Sequence, residues 1–256
     1  MTDSGIPVIP GCEPWSHVAA PGAPGALMVH GFTGTPSSMR GLAEAFAAAG
    51  FHVELPRLPG HGTTVADMMT TSWADWQGET EAAYQRLRER ADRVVVAGLS
   101  MGGSLTLRLG ADHPEIAGLV CVNPAAHPQP TELIDAIRGM VDAGTDTLPA
   151  IGSDIADPDV TEIAYDATPL RPMLSLMIDG LTPLAAALSS ITIPLLLMNS
   201  PQDHVVEPAQ AEFLADAYGG PVERVTLERS YHVATQDYDK DLIEERAVAF
   251  ARRVTS

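Results

Sequence analysis

Short apolar runs and amphipathic stretches take turns along the 256 residues. "GALMVHG" is an apolar run that ends in turn formers. "FHVELP", "RVVVAGL", "IAGLVCVNP", "IPLLLMNS" and "VERVTLE" repeat the pattern further on. Such runs, rich in Val, Leu and Ile and bounded by Gly, Pro, Asn or Ser, predict strands buried on both faces. Helical stretches lie between them. "TPSSMRGLAEAFAAAG" is Ala-rich with Gly50 at its expected C-terminal cap, and "SWADWQGETEAAYQRLRER" has Ser72 at the N-cap and Asp75 three residues on. "SMGGSLTLRLGADHP" is closed by Pro114, and two more helices are expected within "EPAQAEFLADAYGG" and "DLIEERAVAFARRV". Strand-then-helix order, repeated, predicts an α/β fold: a mostly parallel sheet with helices on both faces.

One stretch breaks this rhythm. From about residue 125 to 191 no strand is predicted. "TELIDAIRGMVDAG" puts Leu133, Ile134, Ile137, Met140 and Val141 at helical spacing, and "PLRPMLSLMIDGLTPLAAAL" puts Leu170, Met173, Leu174, Met177, Ile178 and Leu181 on one stripe. Between them "PAIGSDIADPDVTEIAYDATP" is rich in turn formers and acids. The expected organisation is a core of residues 1–124 and 192–256, with 125–191 inserted as a helical cap over the C-terminal edge of the sheet.

Composition narrows the function. With 45% hydrophobic and 19% charged residues the chain can bury a core, and its formal charge of −18 disfavours nucleic acid and anionic membranes as partners. Two cysteines, Cys12 and Cys121, make neither a disulfide framework nor a zinc cluster. No apolar run reaches the length of a membrane span, and "MTDSGIPVIPGCEP" lacks a basic stretch followed by an apolar one. A cytoplasmic protein with no integral membrane segment is expected. Oligomeric state is not readable.

The chemistry starts at "AGLSMGG". Gly98 and Gly102 flank Ser100 at a strand-to-helix junction, and glycines there permit a sharp, strained turn that lifts the hydroxyl clear. The Met101 N–H, at the start of the helix, points into the same space as an oxyanion donor. In "MVHGFTGTPSSM" the Phe32 N–H supplies a second donor. A serine needs a base, and the base needs an orienting carboxylate; on this architecture the chain order is Ser, acid, His. Of eight histidines, His17, His30, His52 and His61 precede the serine, His113 ends the elbow helix, and His127 enters the insertion. His232, in a loop after the last predicted strand, is the expected base. Asp203, in the loop after "IPLLLMNS", is the expected acid. His204, its neighbour, is expected to help pack the loop, because adjacent side chains diverge. Glu207, Asp237 and Asp239 read as charges favourable to helix N-termini, and His61 as structural. No metal or organic cofactor is required.

With these residues placed, the chain resembles the bacterial monoacylglycerol lipase and carboxylesterase family of the α/β-hydrolase superfamily. "HGFTGTPSSM", "RLPGHGTT", "GLSMGG", "IGSDIADPDVTEIAYDATP", "DHVV" and "SYHVATQDYD" carry the resemblance, which runs nearly end to end. It implies ester hydrolysis through an acyl-Ser100 intermediate, with a small amphiphilic ester, most simply a monoacylglycerol, as substrate. It further implies that Glu162 contacts the glycerol part and that Ile151 lines the nearby pocket. Acyl length stays open, as does the choice between water and another alcohol as acceptor. A general carboxylesterase, an acyltransferase, or a ligand-binding protein that has lost turnover share the same residues. Epoxide and haloalkane hydrolysis are disfavoured, because they need a carboxylate where Ser100 stands.

Overall fold

The computed structural model describes residues 5–150 and 153–256. Strands β1 (Trp15–His17), β2 (Gly25–Val29), β3 (His52–Leu55), β4 (Val94–Leu99) and β5 (Gly118–Val122) precede the insertion, and β8 (Leu195–Asn199) and β9 (Val222–Thr226) follow it. They form a seven-stranded sheet in the order β1-β3-β2-β4-β5-β8-β9. All pairings are parallel except β1 with β3.

Side-chain alternation in the central strands builds two cores. Leu27, Val29, Val94, Val96, Leu119, Cys121, Leu195 and Leu197 face one side, and Met28, Val95, Ala97, Leu99, Val120, Val122, Leu196 and Met198 face the other. Helices α3 (Trp73–Arg88) and α4 (Met101–Asp112) cover the first face, joined by Leu214 of α8 (Ala209–Ala217). Helices α1 (Arg40–Ala48) and α9 (Lys240–Thr255) cover the second through Leu42, Phe46, Ile243, Ala247 and Phe250. The short α2 (Val65–Met68) is N-capped by the Thr64 hydroxyl, which accepts the Asp67 N–H at 3.1 Å. At the C-terminus of α1, Gly50 has φ +92°, the left-handed value its expected capping role requires. Ser72 donates its N–H and hydroxyl to Asp75 at 2.9 and 2.7 Å at the start of α3.

The inserted stretch contains α5 (Thr131–Asp142), α6 (Leu170–Ser175) and α7 (Thr182–Ala187), and it departs from expectation twice. First, Thr147–Pro149 (β6) and Ala167–Pro169 (β7) pair as an antiparallel ribbon, so the stretch is not free of strands. These pieces are three residues long with no alternation to betray them. Second, the predicted stripe splits. A π-helical turn, Leu176–Leu181, joins α6 to α7. Pro183 has no N–H to donate within the ladder, while the Thr182 hydroxyl donates to the Met177 carbonyl at 3.1 Å. The wider turn rotates the register. Met173, Leu174 and Met177 pack on Ile137 and Val141 of α5, whereas Leu176, Leu181, Leu184 and Leu188 join the first core and Ile178 is exposed. Gly180 lets Trp73 approach; a Cβ there would lie 2.6 Å from the indole. Within Leu170–Ser190 a stretch of 18 residues with mean hydropathy 1.3 is long and apolar enough to cross a membrane by those two measures alone, although polar residues interrupt it. Of that stretch 28% is buried within the fold.

Candidate active site

Ser100 sits between β4 and α4 with φ +57° and ψ −121°, a strained conformation for a residue with a side chain. The flanking glycines are obligatory. A Cβ on Gly98 would meet the Gly102 carbonyl oxygen at 2.1 Å, and one on Gly102 would meet the Val29 carbonyl oxygen at 2.1 Å. Gly103 is equally constrained, by Pro124 at 2.6 Å. The Ser100 N–H donates to the Val122 carbonyl at 3.0 Å, and its own carbonyl accepts from Gly103 and Ser104 at 2.8 and 3.2 Å. The turn is therefore held by backbone on both sides, and the serine lies at the carboxyl edge of the sheet.

Met101 opens α4, so its N–H belongs to the first turn, whose amides have no acceptor within the helix. The loop after β2 runs against this turn: a Cβ on Gly31 would sit 3.3 Å from the Ser100 Cβ and 3.8 Å from its Oγ. Phe32 follows directly. Its ring packs edge-on against Trp76 (5.7 Å) and His61 (6.4 Å), which anchors the backbone beside the serine. Thr33, at φ +60°, then turns the chain away.

Asp203 and His232 meet. His232 Nδ1 lies 2.8 Å from Asp203 Oδ2, and both side chains are buried. Asp203 Oδ1 accepts the N–H groups of Val205 and Val206, each at 2.8 Å. With Nδ1–H donated to a carboxylate, Nε2 is the basic nitrogen of the imidazole. Ser100, Asp203 and His232 follow β4, β8 and β9, so all three stand at the same edge of the sheet. His204 does not pair with Asp203. Its ring bonds Asp154 (2.8 Å) and packs edge-on against Tyr231 at 4.6 Å.

Three further histidines fall away on physical grounds. His30 and His61 are fully buried, and burial holds both imidazoles neutral: His30 well below its ordinary value and His61 down to about 4. His30 Nε2 accepts the Leu58 N–H at 3.1 Å, and His61 Nδ1 lies 3.0 Å from the Pro59 carbonyl, so both brace loops. His113 links Glu81 and Glu115 at 2.8 and 3.1 Å.

Glu162 reaches the site from the inserted stretch. A Cβ on Gly34 would meet its Oε1 at 2.8 Å, so the carboxyl lies on the loop that follows Phe32. Burial pushes it up to about 7, and the attraction of nearby His232 only partly opposes that. Two backbone ties hold this strand of chain in place: Tyr165 N–H to the Thr33 carbonyl (3.1 Å), and the Thr35 hydroxyl to the Ile163 carbonyl (3.1 Å). The Tyr165 hydroxyl also donates to Gly60 at 2.7 Å and accepts from the Thr63 N–H at 2.9 Å. Ile151 lies outside the described residues. A cleft of about 900 Å³ is lined by Trp15, Glu54, Arg57 and Glu79 among others, and neither Ser100, Asp203 nor His232 lines it.

Several residues at the site carried no signal in the sequence. Asn123, at φ +44°, follows β5 and is buried; its Nδ2 donates to the His232 carbonyl at 2.8 Å and its Oδ1 accepts the Ser200 N–H at 2.8 Å. Asp154 accepts the His232 N–H at 3.0 Å. Asp237 and Asp239 stand at the N-terminus of α9, Asp239 as its N-cap residue, but neither side chain caps the helix and both carboxylates bind other groups. Asp237 accepts N–H groups from Ala156, Asp157, Tyr231 and Tyr238 at 2.7 to 3.1 Å, and Asp239 binds the backbone and side chain of Arg229 and the Ser230 hydroxyl. Loop amides that would otherwise lack a protein acceptor take up the Asp237 carboxylate.

A serine in a strained strand-to-helix turn, at the carboxyl edge of a parallel sheet covered on both faces, defines an α/β-hydrolase. Sequence comparison is more specific: residues 25–239 match the serine aminopeptidase, S33 family (Hydrolase_4), and the chain belongs to it. It is 44% identical to a thermostable monoacylglycerol lipase of Bacillus sp. strain H-257, over 95% of this chain and 96% of that one. A carboxylesterase of Bacillus subtilis strain 168 is 23% identical, over 89% and 92% of the two chains. Among solved structures, a metagenome-derived lipolytic enzyme from work on LipS and LipT superposes with a TM-score of 0.90 at 42% identity, covering 96% of this chain and all of that one. The monoacylglycerol lipase of Paleococcus ferrophilus, at 18% identity, TM-score 0.74 and coverage of 94% and 99%, shares the fold. The chain is an ester hydrolase of this family.

Proposed function

We propose that the protein hydrolyses monoacylglycerols to glycerol and fatty acid, with Ser100, His232 and Asp203 as the triad and the Phe32 and Met101 N–H groups as the oxyanion hole. The buried Asp203–His232 pair, on the sheet edge that carries the strained Ser100, is the observation that supports this most. His232 Nε2 takes the Ser100 proton as Oγ attacks the ester carbonyl. Asp203 holds the Nδ1–H tautomer and stabilises the imidazolium. The oxyanion of the tetrahedral intermediate is met by the two N–H groups, each worth about 3 kcal/mol. His232 then gives its proton to the departing glycerol oxygen, leaving acyl-Ser100. Water, deprotonated by His232, attacks the acyl carbon, and collapse returns Ser100 and releases the fatty acid.

Residues 125–191 act in this reading as a cap, with Glu162 against the glycerol hydroxyls and the apolar side chains of α5 and α6 near the acyl chain. A carboxyl raised to about 7 is half protonated at neutral pH, so it both donates to and accepts from hydroxyls. The test has two arms. Intact mass after a phosphonate probe gives one adduct, on Ser100, that Ser100→Ala abolishes. A panel of monoacylglycerols of graded chain length beside p-nitrophenyl esters shows preferential turnover of the glycerides, which Glu162→Ala removes. A folded protein that forms no adduct refutes the serine mechanism, and equal turnover of simple esters refutes the glyceride assignment.

A further inference from the structure

His232 is gripped at three points. Asp203 takes its ring, Asn123 donates to its carbonyl, and Asp154 accepts its N–H. The third grip differs in kind, because Asp154 belongs to the inserted stretch between β5 and β8 and not to the loops of the sheet. Its side chain is 10% exposed. Oδ2 accepts two backbone amides, those of His204 (3.1 Å) and His232 (3.0 Å), and Oδ1 pairs with the His204 ring (2.8 Å). One carboxylate therefore joins the loop carrying Asp203 to the loop carrying His232. The Asp154 carbonyl adds a bond from the Val233 N–H at 3.0 Å. Asp237 returns the grip in the opposite sense, binding Ala156 and Asp157 from the His232 loop.

We infer that Asp154 is a positioning residue of the hydrolytic reaction: by accepting the His204 and His232 amides on one oxygen it fixes the distance and angle between the acid and base loops, and so makes alignment of the base depend on the docking of the inserted stretch. The inference rests on the triad proposed above. It does not rest on His204, whose ring is exposed and reaches only the oxygen opposite the amides. Nor does it need the negative charge. An asparagine can turn its carbonyl oxygen to the two amides and its NH2 to His204 Nδ1, which accepts in the other neutral tautomer. Alanine leaves both amides without an acceptor and frees the loops to shift. A misplacement of about 1 Å in such a site costs on the order of 100-fold.

The loss has a signature that general damage lacks. A glycerol or alkyl alkoxide must be protonated by His232 as it leaves, whereas p-nitrophenolate leaves without a proton. Misalignment of the base therefore slows glyceride cleavage more than cleavage of a p-nitrophenyl ester of the same acyl chain. Denatured or partly folded protein lowers both equally.

The experiment measures kcat and KM on both esters for the wild type, Asp154→Ala, Asp154→Asn and His204→Ala. Rates are normalised to active sites titrated with a phosphonate, and folding is checked by thermal melting. Asp154→Ala is expected to lose about 10- to 100-fold in glyceride kcat with KM within about threefold, and several times less on the p-nitrophenyl ester. Asp154→Asn and His204→Ala are expected to stay within about threefold of wild type on both. An unchanged ratio between the two esters in Asp154→Ala overturns the inference, as does a loss beyond about tenfold in Asp154→Asn. If the alanine variant does not fold, Asp154→Ser, whose shorter side chain cannot reach both amides, is read for the same ester ratio, and an unchanged ratio there overturns the inference. Ser100→Ala runs alongside: turnover by that variant refutes the triad itself, while a dead Ser100→Ala with an unaffected Asp154→Ala refutes only the positioning role.

Discussion

Replacing Asp203 by asparagine separates the orientation of the base from its presence. Asp203 Oδ1 accepts two amides, from Val205 and Val206, both at 2.8 Å. These donors dictate how an asparagine at this position sits. Its only acceptor oxygen must face them, because an NH2 there would leave both N–H groups unsatisfied, the buried one of Val206 at about 1–3 kcal/mol. The NH2 then faces His232 Nδ1, which must accept. The imidazole is locked with its proton on Nε2, the nitrogen that receives the Ser100 proton in the proposed mechanism. Fold and packing are preserved, while the tautomer is wrong. In an unrelated serine hydrolase this replacement lowers kcat by about 10⁴, which is about 5.4 kcal/mol of transition-state stabilisation. The prediction is a loss of three to four decades (roughly, from the same comparison) in kcat on a monoacylglycerol, with KM and the melting temperature little changed. Steady-state kinetics and a thermal melt on one preparation check it. A loss under about tenfold in a folded Asp203→Asn protein refutes the assignment of Asp203 as the acid that orients the base.

Four further outcomes follow from particular contacts. Gly102→Ala places a methyl 2.1 Å from the Val29 carbonyl oxygen and is expected to cost about 3 kcal/mol or more, read as a drop in urea midpoint; retention of wild-type stability contradicts the elbow geometry. Glu162→Gln is expected to stabilise the protein at alkaline pH. The unfolded carboxyl ionises near 4.5 and the folded one near 7, so folding keeps a proton between those values and is opposed by a buried charge above them. The gain is therefore absent below pH 4.5, grows up to pH 7 and levels off at about 1–3 kcal/mol, which urea melts at pH 5 and pH 8 resolve. Asn123→Ala puts a Cβ residue without a local hydrogen bond at φ +44° and strips the Ser200 N–H and the His232 carbonyl of partners, for an expected loss of about 2–4 kcal/mol in chemical denaturation together with reduced kcat. Native protein should leave both thiols unreacted with a disulfide reagent, since Cys12 and Cys121 are buried and burial pushes both thiols up; fast labelling before denaturation contradicts that packing.

Much of the architecture was legible because central parallel strands are buried on both faces and so read as unbroken apolar runs, as in "RVVVAGL" and "IPLLLMNS". Their helices announced themselves with Gly50 and with Ser72 and Asp75. The edge strand β1 and the ribbon of β6 and β7 were not legible. Each has three residues, too few for a period of two to show. The helical stripe of the insertion was predicted on the wrong face in part, because Pro183 and the π turn change the residues per turn from the value on which spacing arguments rest. The pairing of Asp203 with His232 followed from chain order and loop position. Asn123, Asp154 and Asp237 gave no such sign. Each acts by hydrogen bonding to main-chain groups that could belong to any residue type, so nothing in the partner's identity marks the interaction. Asp237 was read as helix-associated because a dipole argument needs only sequence proximity, whereas two of its four amide partners, Ala156 and Asp157, are about 80 positions away.

That contrast explains why the acid, and not the histidine beside it, belongs with His232. In "QDHVV" the two side chains leave the chain in different directions, and each finds a carboxylate or imidazole from a distant loop: Asp203 finds His232 and His204 finds Asp154. The inner pair is desolvated, and Asp203 is further satisfied by two amides, so removing either partner strands a buried polar group. The outer pair is open to water on the histidine side, where screening reduces an ion pair to about 0–1 kcal/mol. Asp154 nonetheless stays in place without His204, because two amides bind its other oxygen. His204→Ala should therefore leave turnover nearly intact, whereas His232→Ala, which removes the proposed base, should abolish it. Kinetics on the two variants side by side decide the point, and equal loss of activity in two folded proteins would falsify this division of roles.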